Sequence, residues 1–200
     1  MKEKRNVDEV CPHCGFDMSK YCASDFQLAP FTELSDGRYI IGKVLGTGGF
    51  GITYIAFDKR LEVPVAIKEL FVVNKVKREI RKTVLMDTTE NGIQQYQELK
   101  RRFMQEAKTM AELENVEGVV KVKDYFQENN TAYIVMEYLD GKTLKELVRE
   151  GKKKMSVSQA VTLFEPIMHS LSKMHKVGII HRDISLDNIM ITKDHRVKLI

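Results

Sequence analysis

The chain has 200 residues, 43% of them hydrophobic, and 32 Lys+Arg against 28 Asp+Glu give a formal net charge of +4. That is room for one ordinary domain, or for a small appendage and most of one, with the composition of a globular protein rather than a disordered one. The basic excess is small and spread out apart from Lys152-Lys153-Lys154 and Lys75 to Lys82, which argues against nucleic acid as a partner; no stretch reaches the ~20 apolar residues of a membrane span, and Met1 to Val10 lacks the apolar run of a signal peptide, so a cytoplasmic location is expected.

Residues 1–23 are polar and carry all three cysteines, Cys11, Cys14 and Cys22. An odd, clustered set does not read as a secreted disulfide framework. Cys11-Pro12-His13-Cys14-Gly15 has the shape of a zinc knuckle, in which two thiolates at C-x2-C spacing grip one Zn²⁺. Cys22 could add a third sulfur, but His13 sits inside the knuckle and the next histidine after Cys22 is His169. Two readings therefore stand: a zinc site with an unidentified fourth ligand, and a metal-free knuckle. Residues 24–37 read as a linker, with Pro30 and Asp36-Gly37 as breakers.

From Arg38 the texture changes. Tyr39 to Ile41, Ile52 to Phe57 and Val63 to Leu70 are rich in β-branched and aromatic residues and read as consecutive strands, the last two joined by a turn at Asp58 to Leu61. Between the first two lies Gly46-Thr47-Gly48-Gly49-Phe50-Gly51. In a dinucleotide-binding fold such a G-x-G-x-x-G motif opens a helix. Here a strand follows, so the motif is expected in a hairpin. Glycines there let backbone N–H groups approach phosphate oxygens; a glycine-rich turn without a ligand is the plainer alternative. The third strand carries Val65-Ala66-Ile67-Lys68, an apolar run ending in a charge that needs a partner if it is to be buried.

A helix is expected over Ile93 to Glu114, where Tyr96, Leu99, Phe103, Ala107, Met110 and Leu113 recur at spacings of three and four. Glu106 borders that apolar face and is the candidate partner for Lys68; a solvated surface glutamate is the alternative. Strands follow at Val119 to Phe126 and Thr131 to Tyr138, joined by a turn at Glu128-Asn129-Asn130. Thr143 to Glu150 reads as a short helix and Ser156 to His175 as a long one, with Ser156 and Gln159 as a capping box and Pro166 as an expected kink. Ile179-Ile180, Asn188 to Thr192 and Val197 to Ile200 are short β-like pieces.

His181-Arg182-Asp183-Ile184-Ser185-Leu186-Asp187-Asn188 follows the long helix and precedes a strand. It matches H-R-D-x-x-x-x-N in full. With the glycine motif and the lysine strand before it, in that order and on those elements, the chain resembles the protein kinase family over residues 38–200.

The resemblance implies an α+β, bilobal kinase-like fold, with a complete small lobe at 38–138 and the start of a large lobe at 139–200. It implies ATP and Mg²⁺ as cofactors and a protein substrate, phosphorylated on Ser/Thr hydroxyls. Leu45, Gly46, Thr47, Gly48, Gly49, Phe50 and Gly51 would cover the nucleotide. Lys68 would hold the α- and β-phosphates and pair with Glu106. Met136 would guard the back of the adenine pocket, Glu137, Tyr138 and Leu139 would form the hinge, and Thr53, Ala66 and Met190 would line the ring. Asp183 would accept the substrate hydroxyl proton, Asn188 would bind Mg²⁺ and His181 would brace the loop.

Four departures from the family pattern stand out. Lys68 and Glu106 are unusually far apart, which implies an insert at about 71–92. Ser185 stands where Ser/Thr kinases usually carry a lysine, and Thr53 where they usually carry valine. The sequence ends at Val197-Lys198-Leu199-Ile200, where the family continues into D-F-G. A domain truncated there is expected to be inactive alone, with the apolar stripe of its long helix exposed. The insert, Ser185 and the cysteine head all resemble bacterial kinases. A catalytically silent nucleotide-binding module is the alternative; a small-molecule kinase is disfavoured by Arg182.

Overall fold

The computed structural model describes residues 17, 20–73, 76–79, 83–86, 89–151 and 156–200. Cys11 and Cys14 lie outside them. Cys22 is exposed, and among the described residues no group of three or more His, Cys, Asp or Glu could hold a metal ion. No helix among them is long and apolar enough to cross a membrane.

The first half is a six-stranded sheet. Strands β1 (Glu33–Leu34), β2 (Tyr39–Gly48), β3 (Gly51–Asp58) and β4 (Val63–Leu70) are followed by the small hairpin β5 (Val76–Glu79) and β6 (Thr83–Met86), helix α1 (Glu90–Ala111), then β7 (Val122–Glu128) and β8 (Thr131–Glu137). The order is β1-β2-β3-β4-β8-β7, and every neighbouring pair is antiparallel. The β7–β8 turn holds both Asn129 and Asn130 at positive φ, 52° and 60°, the hairpin turn for which asparagine is suited. The Asp58 carboxylate accepts the N–H groups of Arg60 and Leu61 and so shapes the β3–β4 turn.

Strand β4 is apolar at nearly every position because both faces of the sheet are covered. On one side α1 packs Tyr96, Phe103 and Ala107 into the core. On the other lie residues of the stretch expected as a linker. Leu28 and Leu34 there are 0% exposed, the Leu28 N–H donates to the Tyr54 hydroxyl at 3.0 Å, and β1 pairs with β2. Residues 24–37 are therefore seated on the sheet rather than spanning solvent; the breakers at Pro30 and Asp36-Gly37 masked two large apolar side chains, Leu28 before the first and Leu34 between the two. Helix α1 starts at Glu90, capped by the Thr89 hydroxyl, three residues before the expected start, and ends at Ala111.

The second half begins with β9 (Gly141–Thr143), α2 (Leu144–Glu150) and α3 (Val157–Lys176), and closes with β10 (Ile189–Thr192) and β11 (Val197–Leu199). Thr143–Glu146 and Ser156–Gln159 are both complete capping boxes. Helix α3 runs on through Pro166, whose carbonyl is 2.9 Å from the Ser170 hydroxyl. Ile179-Ile180 is not a strand: Gly178 turns the chain at φ 78° and the Ile179 N–H donates back to the Met174 carbonyl, a helix-ending arrangement. Strands β11-β10-β9 form a three-stranded sheet. A second core of Leu113, Val116, Val119, Leu144, Ile167, Met174, Ile189 and Leu199 holds this half together.

Candidate active site

The glycine motif closes the β2–β3 hairpin, with Gly48 opposite Gly51. A Cβ on Gly46 or Gly49 would meet nothing within 4 Å, so open space lies over the tip of the hairpin. Gly51 is different: a Cβ there would lie 2.4 Å from the Glu69 carbonyl oxygen on β4. Its glycine is required by the close seating of the hairpin on its neighbour. Leu45 and Phe50 are exposed, Thr53 half-buried and opposite Lys68, and Ala66 buried and opposite Met136.

Lys68 and Glu106 come together across 38 residues of sequence. The Lys68 Nζ lies 3.4 Å from Glu106 Oε1 and 5.7 Å from the Phe103 ring centroid. One partner comes from the strand paired to the glycine hairpin, the other from the C-terminal part of α1, so the pair ties the helix to the sheet. Helix α1 is also fixed farther back, where the Tyr96 hydroxyl donates to Thr131 Oγ1 at 3.0 Å; burial pushes that phenol up to about 12.

In the second half, Asp183 and Asn188 are joined. The Asn188 Nδ2 donates to Asp183 Oδ2 at 2.8 Å and to the Asp183 carbonyl at 2.9 Å. The Ile200 N–H donates to the Asn188 carbonyl, so the end of β11 is laid against the same loop. Arg182 is held at φ 66°, a left-handed conformation that costs a non-glycine residue energy and is often kept where a site demands it. The buried His181 Nδ1 has no hydrogen-bond partner among the described residues. Asp187 is engaged elsewhere, 2.7 Å from Lys145 at the start of α2.

Met136, Glu137, Tyr138 and Leu139 lie at the end of β8 and in the segment after it, all half-buried; Met190 is half-buried on β10. Glu137 also has a partner that no pattern around it announces. Its Oε1 accepts from Lys198 Nζ at 2.8 Å and from the Lys121 N–H at 3.1 Å, with the Lys198 side chain 8% exposed. This ion pair, its lysine buried and its carboxylate half-buried, joins the end of β8 to β11. A lone lysine in the apolar run Val197-Lys198-Leu199-Ile200 was the available signal.

The room over Gly46 and Gly49 would admit a ligand whose oxygens approach the backbone, and Lys68 would supply a countercharge for phosphate. The oxygens of Asp183 and Asn188 are the hard donors that Mg²⁺ takes. The residues present thus fit a nucleotide with its metal; a zinc site finds no support among the described residues.

Comparison with known proteins agrees with this geometry. The protein kinase domain matches residues 39–200. The probable serine/threonine-protein kinase SCO3848 of Streptomyces coelicolor is 35% identical over 167 residues, which cover 82% of this chain and 22% of that protein. The serine/threonine-protein kinase PknL of Mycobacterium tuberculosis is 32% identical over 168 residues, covering 84% of this chain and 37% of that one. The chain thus spans well under half the length of these relatives. Among solved structures, the apo form of PpkA-294 superposes with a TM-score of 0.80 at 31% identity, covering 88% of this chain and 61% of that one. The kinase domain of M. tuberculosis PknI superposes at 0.64 with 20% identity, covering 86% of this chain and 60% of its own, a likeness of fold.

Proposed function

Since this chain belongs to the protein kinase family, we propose that it binds ATP with Mg²⁺ beneath the glycine hairpin and takes part in transferring the γ-phosphoryl group to Ser or Thr hydroxyls of a protein substrate. The observation that carries this reading is the Lys68–Glu106 pair, formed across 38 residues on the strand bonded to the glycine hairpin. A structural ion pair alone would not need an open glycine tip beside it.

The roles divide by position. The hairpin from Leu45 to Gly51 covers the phosphates with backbone N–H groups, and Lys68 neutralises the α- and β-phosphates while Glu106 fixes its direction. Ala66, Met136 and Met190 line the adenine, and Glu137 to Leu139 offer it backbone groups. Bound ATP and Mg²⁺ supply the transferable phosphoryl group and neutralise its developing charge. Asp183 accepts the proton of the acceptor hydroxyl, and Asn188, bonded to it at 2.8 Å, holds the carboxylate in place. Ser185 is compatible with this chemistry, since its carbonyl accepts the Asn188 N–H while the Asp183–Asn188 hydrogen bond is kept.

The test is phosphoryl transfer from γ-labelled ATP to a protein acceptor by the natural protein that contains this chain, with acid hydrolysis to identify the labelled residue. Asp183→Asn should lower the rate by about 10²–10⁴-fold. Equal rates for the two proteins, or no labelled acceptor at all, would contradict the reading; the second outcome with tight nucleotide binding would favour a silent nucleotide-binding module.

A further inference from the structure

The segment between Lys68 and Glu106 holds more than a connection. Among the described residues, hairpin β5–β6 is fastened to the sheet through Val84 and through Arg78. Val84 N–H donates to the Asn129 carbonyl and Asn130 Nδ2 to the Val84 carbonyl, both at 2.9 Å. The other fastening is Arg78, whose Nη2 lies 2.7 Å from Glu69 Oε2 with side chains 1% and 0% exposed. Arg78 Nε also donates to the Phe26 carbonyl at 2.9 Å, and its guanidinium lies 4.8 Å from the Phe71 ring centroid. Glu69 is further held by the Tyr54 hydroxyl at 2.9 Å and the Tyr133 hydroxyl at 3.0 Å.

Glu69 occupies a decisive place. It follows Lys68 on β4, so the two side chains leave opposite faces of the sheet and the torsions that aim one aim the other. Its carbonyl is the atom against which Gly51 is seated. Phe71, beside Arg78 and stacked on Phe26 at 6.0 Å, donates its N–H to the Phe50 carbonyl at the hairpin tip. Both phosphate-facing features, the glycine hairpin and Lys68, thus rest on backbone that this cluster immobilises from the far side of the sheet. A buried ion pair is weak support for stability, because desolvation offsets its attraction, and its use is better sought in fixing one arrangement.

We infer that Arg78, through its buried pair with Glu69, is a positioning residue that holds the glycine hairpin and Lys68 in register for the nucleotide phosphates. This rests on the reading that these two features hold ATP. Arg78 touches no nucleotide itself; it acts through Glu69 and Phe71.

The test uses an ATP acyl phosphate, whose acyl carbonyl is attacked by a lysine amine next to the phosphates, forming an amide and releasing ATP. The rate of Lys68 acylation at saturating probe is measured by mass spectrometry on folded protein, well below each melting temperature. Arg78→Met, and the double variant Glu69→Gln/Arg78→Met that leaves no buried charge should the single variant fail to fold, are expected to slow Lys68 labelling by about tenfold, the scale of coupling within one network. Arg78→Lys should recover part of the loss. Leu34→Ala, a cavity in the same core outside the hydrogen-bonded cluster, should lower the melting temperature and leave the rate unchanged. Wild-type labelling in the folded double variant would overturn the inference, as would a Leu34→Ala rate lowered equally. Absence of any Lys68 labelling in the wild-type chain would instead sink the nucleotide reading on which it stands.

Discussion

Gly51 shows how one hydrogen atom in place of a methyl group decides a local arrangement. The Glu69 carbonyl oxygen stands 2.4 Å from where a Cβ would sit, so Gly51→Ala must push β3 off β4. It should cost about 1–3 kcal/mol by urea denaturation, the range for overpacking. Gly49→Ala meets nothing within 4 Å and should stay within about 0.5 kcal/mol of wild type while weakening nucleotide binding. Lys198 makes the opposite case, a charge whose burial is tolerated because Glu137 is 2.8 Å away. Lys198→Met strands a half-buried carboxylate and should destabilise the fold by about 3 kcal/mol, with most of the loss recovered in Glu137→Gln/Lys198→Met. Equal midpoints for the single and double variants would refute that account.

The elements were legible in the sequence where one physical rule governed them. Capping chemistry located α3: Ser156 and Gln159 satisfy each other's backbone groups as expected, and Ser156→Ala should cost about 1 kcal/mol, read from the urea midpoint. Runs of β-branched and aromatic residues located β3 and β4, and apolar spacings of three and four located α1, to within a few residues. The H-R-D-x-x-x-x-N run fell in a loop before β10, and Lys68 and Glu106 met as the resemblance implied. The failures share a cause, which is that packing partners are distant in sequence. The charged stretch around Val76 to Met86 carries no long apolar run, yet Val76 and Val84 are buried and Arg78 enters the sheet's far face. Residues 24–37 carry breakers at Pro30 and Asp36-Gly37, and nothing local reveals that Leu28 and Leu34 meet Tyr54 and its neighbours. Ile179-Ile180 has strand residues but sits behind Gly178, whose left-handed turn closes α3 instead.

At the scale of the whole molecule, two cores are joined by short connections, and the candidate site is built from both. Its stability should depend on acid through Asp58. Burial pushes that carboxyl up, but the Arg38 guanidinium at 2.9 Å and the N–H groups of Leu61 and Arg60 outweigh it and hold it below the usual range. A depressed carboxylate contributes stability that is fully present above its unfolded value, near ~4, and is lost as pH falls through the lower folded value. Asp58→Asn should therefore be less stable at neutral pH and lose less stability from about pH 4 downward; parallel curves for the two proteins would contradict this.

The central claim is that the sheet and α1 present Lys68, braced by Glu106, to the phosphates of a nucleotide under the glycine hairpin. Isothermal titration calorimetry of the chain with ATP and Mg²⁺, beside Lys68→Ala, tests it most directly. The account predicts saturable 1:1 binding by the wild-type chain, weakened at least about tenfold in Lys68→Ala, the loss expected when a charge-assisted contact worth about 1.5–3 kcal/mol is removed. Equal affinity for the two proteins, or no binding by a folded wild-type chain, would contradict it.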